Sequence, residues 1–137
     1  MKKTIACLAA ILILAGCENV GTLQPVNAEG ASEVGAVPHF TWEGTDTGSL
    51  NVVLPTSESL EGPFGPPYGN EEFGKIFKEV YGQYSTLPVA ANNGTPTVAT
   101  LKGGSMTMWC EFYNDDNTDH GFGGCKESNG ALYRLRY

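Results

Sequence analysis

The sequence predicts an α+β protein that is mainly β: a small antiparallel meander with one packed helix and one disulfide. Short runs rich in β-branched and aromatic residues recur between glycine-containing turns, most densely in the last third of the chain. One stretch, from about Glu71 to Tyr81, has the 3.6-residue spacing of an amphipathic helix. Two cysteines, Cys110 and Cys125, lie within the predicted β region.

The chain begins with the features of an export signal. Lys2 and Lys3 precede an almost unbroken apolar run from Thr4 to Ala15, which is the pattern of a secretory signal peptide. The run is shorter than the roughly 20 apolar residues that a membrane-spanning helix needs. It therefore predicts a signal peptide covering residues 1–16 rather than a transmembrane anchor.

The end of this leader resembles that of bacterial lipoproteins. Leu14-Ala15-Gly16-Cys17 is similar to the lipobox, in which the cysteine thiol receives a diacylglycerol and the leader is cleaved just before it. The resemblance implies that Cys17 is the lipidated first residue, with acyl chains such as palmitate holding it to a membrane. Glu18 stands where aspartate usually marks retention in the inner membrane, so the outer membrane is implied. An ordinary signal peptide ending near Gly16 is the alternative.

Composition restricts the partners of the exported chain. Removal of residues 1–16 leaves 121 of the 137 residues, enough for one domain. This part has six basic and fifteen acidic side chains, a formal charge of −9 with histidine neutral. Nucleic acid is a poor partner for such a surface. An anionic membrane repels it, so the acyl chains alone are expected to hold the protein there.

Cysteine usage predicts a disulfide. Cys7 leaves with the leader and Cys17 is taken by lipid under the resemblance, so Cys110 and Cys125 remain. An even pair in an oxidising compartment favours a bridge. A zinc site that adds His120 is the alternative, but it offers three ligands and no CxxC spacing. We expect no metal and no other cofactor.

The first elements of the exported chain are a tether and a hairpin. Residues 17–38 are rich in glycine, alanine, asparagine and glutamate without usable periodicity, which predicts a lipidated N-terminus and flexible tether. A single globular domain is expected over residues 39–137. It opens with a hairpin whose strands are His39–Trp42 and Ser49–Leu54. Prolines within Glu61–Gly69 argue against a helix or a central strand there.

The helix and the main sheet follow. The predicted helix, Glu71–Tyr81, places apolar side chains at i, i+3, i+4 and i+7 and ends at Gly82. A polar loop over Asn114–Gly124 separates two pairs of strands, so that Cys110 and Cys125 face each other across it. The predicted strands are Thr97–Leu101, Ser105–Tyr113, Cys125–Glu127 and Ala131–Tyr137.

The motifs of common enzyme classes are absent from the sequence. It contains two histidines and no G-x-S-x-G, H-E-x-x-H or P-loop spacing, so we predict that the protein is not an enzyme. Asp115, Asn117 and Asp119 alternate as in a calcium loop. However, His120 and Lys126 stand where that loop needs glycine and glutamate, which favours a solvated loop over a cation site.

Alternation along two strands indicates a candidate recognition patch. Trp109 and Tyr113 share one face of their strand, and Arg134 and Arg136 share one face of the last strand. If the two faces coincide, the four side chains can bind a sugar ring or an anionic group. The alternative is that they stack and pair with one another across strands or lie under the helix.

These features together predict an outer-membrane, lipid-anchored envelope lipoprotein, facing the periplasm or the cell surface. It is expected to act as a binding module or as a structural, accessory component. Its expected partners are the membrane, through the N-terminal lipid, and an envelope protein or glycan. A periplasmic inhibitor of an incoming hydrolase is the alternative, because small disulfide-bonded lipoproteins can fill that role.

Overall fold

The computed structural model describes residues 17–44, 46–67, 73–82, 94–115 and 120–137. The predicted signal peptide lies outside these residues, as do Asn117 and Asp119 of the calcium-like pattern. No helix within the described ranges is long and apolar enough to cross a membrane.

In the described part of the chain, nine strands form one antiparallel sheet that curls into a nearly closed barrel. The strands are β1 Cys17–Val20, β2 Thr22–Pro25, β3 Val37–Trp42, β4 Gly48–Val53, β5 Ser59–Gly65, β6 Thr95–Gly103, β7 Met106–Asp115, β8 His120–Glu127 and β9 Leu132–Arg136. Their order across the sheet is β1-β3-β4-β5-β6-β7-β8-β9-β2. The predicted fold, a mainly β antiparallel meander with one helix, is confirmed.

β1 and β2 act as one bent strand that closes the barrel. Gly21 alone separates them, yet β1 pairs with β3 and β2 pairs with β9 at the other end of the meander. The Gly21 N–H donates to the backbone oxygen of Pro38 at 2.9 Å, within the pairing to β3. A Cβ atom at Gly21 would collide with the backbone oxygen of Arg136, so the bend requires glycine.

The flexible tether predicted for residues 17–38 is therefore wrong. Residues 17–25 belong to the sheet, and a 3-10 turn, Ala31–Glu33, follows before β3. The sequence of β2 shows no alternation of apolar and polar residues because Leu23 is its one buried residue. These strands are ordered by backbone pairing to two distant partners, so the globular domain includes residues 17–38 and does not start at residue 39.

Inward-facing side chains fill the barrel with one core. The ring centroids of Phe40 on β3 and Phe112 on β7 are 5.6 Å apart, although these strands lie on opposite sides of the barrel. Phe40 also lies 4.3 Å from the ring of Tyr137. Side chains thus occupy the interior, as is usual for small barrels. Fully buried members of the core include Phe40, Leu50, Val52, Leu101, Met108, Phe112, Tyr133 and Leu135.

For strands β3 to β5, one prediction from the sequence is confirmed and another is wrong. The predicted hairpin is present, with Phe40 on β3 opposite Leu50 on β4. The proline-rich segment, by contrast, supplies β5, which lies between β4 and β6 and includes Pro63. The pairing of β5 with β6 skips Gly62 and Pro63. A proline has no N–H to donate, and the sheet accommodates it by this local interruption.

The α-helix of the described residues, α1 Lys75–Tyr81, lies on the outside of the barrel. It belongs to the connection between β5 and β6 but packs on β7, β8 and β9. The helix ends before Gly82 as predicted, but it begins at Lys75 rather than Glu71. Its start follows Gly74, which has φ 107°, and is held by a side chain from the sheet.

The last strands confirm the predicted disulfide. Cys110 on β7 and Cys125 on β8 are direct register partners whose Cα atoms are 4.1 Å apart. Both sulfur atoms belong to the bridge, so the zinc alternative does not describe this structure. The polar loop expected over Asn114–Gly124 is shorter than predicted, because β7 extends to Asp115 and β8 begins at His120.

Candidate functional site

The outer face of β7 carries the residues on which the predicted patch depends, and α1 divides that face. Trp109, Glu111 and Tyr113 alternate with Cys110 and Phe112, which point into the core. Trp109 is 40% exposed, whereas Glu111 is only 4% exposed. The difference arises because α1 covers Glu111 and leaves Trp109 open beside it.

Glu111 holds the first turn of α1. Its Oε1 accepts the N–H groups of Ile76 and Phe77 at 2.8 and 3.0 Å, and its Oε2 accepts the N–H of Gly74 at 3.0 Å. The first N–H groups of a helix have no partner within the helix. A carboxylate also suits the positive end of the helix dipole. A side chain from the sheet therefore fixes a short helix to the barrel.

Gly124 on β8 allows α1 to rest on the sheet. A Cβ atom there would lie 2.7 Å from Cγ2 of Val80 and 3.4 Å from Cγ2 of Ile76. The hydroxyl of Tyr81 donates to the backbone oxygen of Gly123 at 2.9 Å. The middle and the end of the helix therefore pack directly against the backbone of β8.

Tyr113 lies beneath α1. Its ring centroid is 5.1 Å from that of Phe73, 5.2 Å from that of Phe77 and 6.1 Å from that of Phe122. Burial raises the pKa of the Tyr113 phenol, and the charge of Glu111 adds to the rise. Tyr113 is thus part of the helix interface, as the alternative interpretation held, and it does not belong to an open recognition patch.

Arg134 and Arg136 lie on the opposite side of α1 from Trp109. The register neighbours of Trp109 are Thr100 on β6 and Lys126 on β8. The guanidinium carbon of Arg134 lies 5.5 Å from the ring centroid of Tyr81, at the far end of the helix. The predicted four-residue patch is therefore wrong as a single surface, because α1 separates its aromatic part from its arginines.

Trp109 lines a groove on the barrel wall. The groove has a volume of about 290 Å³, and a second groove of about 260 Å³ continues from it across β6. Trp109 is the one aromatic residue among the exposed large apolar side chains of the described residues. An exposed indole in a groove can stack on a sugar ring or receive an apolar side chain. The first groove is lined by Lys75, Ile76, Val98, Ala99, Thr100, Trp109, Cys110 and Glu111.

A buried polar cluster at one end of the barrel was not predicted. The hydroxyl of Tyr133 donates to Oε2 of Glu33 at 2.6 Å and lies 3.2 Å from Oε1 of Glu127. Tyr133 and Glu127 are both fully buried. Burial, followed by hydrogen bonding to Glu33 and repulsion from it, raises the pKa of Glu127 to about 8. Glu127 is therefore largely protonated at neutral pH.

Sequence reasoning missed Glu111 and Glu33 because their partners are distant in the chain, and it also missed Glu127, whose partner Tyr133 is six residues away. A usable signal existed for Glu111, an acidic residue between two apolar residues of a predicted strand. Within the described ranges, no group of three or more His, Cys, Asp and Glu side chains is arranged to hold a metal ion. Comparison with protein-family models, curated proteins and solved structures yields no match to this chain.

Proposed function

We propose that the protein is a lipid-anchored lipoprotein of the bacterial outer membrane that acts as a non-catalytic binding module. The exposed Trp109 and its groove carry this proposal, because a large aromatic side chain left open beside a helix is suited to a partner. Buried side chains such as Phe40 and Phe112 occupy the interior of the barrel. The partner, an envelope protein or a glycan, therefore binds on the outer wall.

The anchor is supported by the lipobox-like Leu14-Ala15-Gly16-Cys17 and acquires a geometric consequence from β1. Because β1 begins at Cys17, an acylated cysteine is joined to the barrel without an intervening tether. The last residues of β3 and β7, Trp42 and Asp115, lie at the same end of the barrel as Cys17. This end faces the membrane, and the Trp109 groove lies on the wall, open to partners that approach sideways.

Fractionation tests the anchor. Cys17→Ser is expected to prevent lipid attachment and to remove the protein from the membrane fraction, or to leave it as an uncleaved precursor. Metabolic labelling with palmitate, followed by membrane fractionation and mass measurement, reports both changes. Unaltered fractionation and mass in the variant would exclude the lipoprotein assignment.

Position-specific photo-crosslinking in cells tests the binding surface. A photoreactive residue at Thr100 lies in the groove, whereas one at the exposed Val53 lies on the outer face of β4, away from both grooves, as a matched control. We expect a discrete adduct from Thr100, none from Val53, and loss of the Thr100 adduct when Trp109→Ala is added. Equal labelling from both positions would contradict the proposal. An adduct with a hydrolase from outside the cell would favour the inhibitor alternative.

A further inference from the structure

Arg134 and Arg136 form a pair of adjacent cations on the outer face of β9. Both side chains are exposed. Residues two apart on a strand point to the same face and lie about 6.7 Å apart along it. The exported chain has six basic against fifteen acidic side chains, so two neighbouring arginines are an unusual local concentration of positive charge.

No carboxylate of the described residues forms an ion pair with these arginines. In that part of the chain Lys126 forms an ion pair with Glu79, and Nδ1 of His39 lies 2.8 Å from Oε1 of Glu18. Two like charges on one face repel each other, and of the two guanidinium groups only that of Arg134 lies over an aromatic ring, at 5.5 Å from Tyr81. No described ion pair stabilises the barrel through either arginine.

The register neighbours of the pair are uncharged. Arg134 lies opposite Gln24 on β2 and Gly124 on β8, and Arg136 lies opposite Thr22 and Phe122. The side chains of Gln24 and Thr22 are exposed on the same side, where each can hydrogen-bond to a ligand. The two cations thus lie beside neutral polar groups on β2.

Tyr81 completes this surface. The guanidinium carbon of Arg134 is 5.5 Å from its ring centroid. Burial raises the pKa of Tyr81, and the positive charges of Arg136 and Arg134 oppose the rise, so both guanidinium groups act on the same phenol. The Tyr81 hydroxyl is already bonded to the backbone oxygen of Gly123. Its ring therefore serves as a fixed apolar wall beside the arginines.

We infer that Arg134 and Arg136 form a binding site for a phosphate-bearing ligand, with Thr22, Gln24 and Tyr81 around it. A guanidinium group presents a planar fork of N–H donors that matches phosphate oxygens. One fork satisfies the two oxygens of a carboxylate, whereas a phosphate has further oxygens for the second fork. A lipid headgroup and a phosphorylated sugar share this chemistry. The site does not depend on the Trp109 groove, because α1 lies between them.

The exported chain with Cys17→Ser suits the test, since residues 17–137 contain every strand of the barrel. Glucose 1-phosphate is titrated into it and followed by amide NMR shifts on β9, with glucose as the uncharged control. Flotation with vesicles of phosphatidylcholine, with and without phosphatidylglycerol, measures binding to lipid. Arg134→Gln/Arg136→Gln is compared with Lys78→Gln/Lys102→Gln, which removes the same charge from other exposed positions.

We expect the parent chain and the lysine variant to bind at least one phosphate probe, and the arginine variant to bind at least about tenfold more weakly. Arginine-dependent flotation identifies the lipid headgroup as the source, and binding to glucose 1-phosphate alone identifies a soluble ligand. Failure of the parent chain to bind either probe, or equal weakening in both double variants, would overturn the inference.

A charge-preserving variant distinguishes a loss of binding from a loss of folding. Arg134→Lys/Arg136→Lys keeps both charges and removes both forks, so it is expected to melt like the parent chain while binding phosphate several-fold more weakly. Unchanged affinity in this variant would contradict the site. None of these outcomes depends on crosslinking at Thr100, so the inference and the proposed function fail separately.

Discussion

The two halves of the barrel differ in charge and in what is built on them. Residues 17–74 provide β1 to β5 and contain nine acidic side chains and no lysine or arginine. Residues 75–137 provide α1 and β6 to β9 and contain six acidic and all six basic side chains of the exported chain. The whole formal charge of −9 therefore belongs to the first half.

The second half also carries the additional structure. Its outer face bears α1, the Trp109 groove and the arginine pair, and its β7–β8 pair contains the disulfide. In the first half, short connections join β3, β4 and β5 into a regular antiparallel part of the sheet. Under the proposed function, the second half is the part that binds partners, while the acidic first half repels other anionic surfaces.

The largest expected difference between the halves is in the free energy of unfolding, when a buried glutamate, Glu111, and an exposed one, Glu61, are each replaced by alanine. Glu111→Ala leaves three N–H groups of α1 without their acceptor, and we expect a loss of about 3 to 5 kcal/mol in the free energy of unfolding. The control Glu61→Ala alters an exposed residue of β5 and is expected to change it by about 0.5 kcal/mol or less. Chemical denaturation measures both, and similar small losses would contradict the role of Glu111.

The parts of the fold that were predictable have local causes. β9 alternates buried and more exposed residues, every second residue of β7 from Met108 to Phe112 is apolar and buried, and the helix has a regular apolar stripe that Gly82 ends. The disulfide followed from counting cysteines, since Cys110 and Cys125 were the pair left in the exported chain. Each of these signals lies within a short window of sequence.

The parts that were missed depend on long-range contacts. The pairing of β1 and β2 with opposite ends of the meander leaves no periodic pattern in their own residues. Pro63 is tolerated in β5 because the pairing with β6 is interrupted there. The recognition patch failed for the same reason: alternation along each strand allowed Trp109 and Arg134 to share one surface, but it did not reveal that α1 lies between them.

The second prediction concerns the Cys110–Cys125 disulfide of the second half. The described residues of the first half contain no disulfide. Its cysteines are separated by 15 residues, so Cys110→Ala/Cys125→Ala is expected to lower the free energy of unfolding by about 3 kcal/mol. Denaturation of this variant and of the reduced parent chain should give similar losses. Alkylation of both thiols in the parent chain without reductant would exclude the bridge.

The third prediction concerns pH and the buried Glu127. Its pKa in the folded protein is raised from 4.5 to about 8, so the protonated carboxyl stabilises the fold fully below pH 4.5. That contribution is lost as pH rises towards 8, because the unfolded chain ionises and the buried carboxyl does not. In Glu127→Gln this pH-dependent loss should disappear. Denaturation at several pH values measures it, and parallel curves for the two proteins would contradict the buried protonated state.

The smallest expected change in stability is that of Trp109→Ala, which distinguishes a role in partner binding from a role in core packing. Trp109 and Phe112 lie on the same strand, but the indole is 40% exposed and the phenyl ring is fully buried. Trp109→Ala is expected to cost about 1 kcal/mol or less, whereas Phe112→Ala removes core volume and is expected to cost about 3 to 5 kcal/mol. Despite its small cost, Trp109→Ala should abolish most of the crosslinking from Thr100, because the groove loses its aromatic wall.

Melting temperature and crosslinking are measured on the same preparations. A large loss of stability in Trp109→Ala would show that the indole is structural, and retained crosslinking would place the partner elsewhere on the barrel.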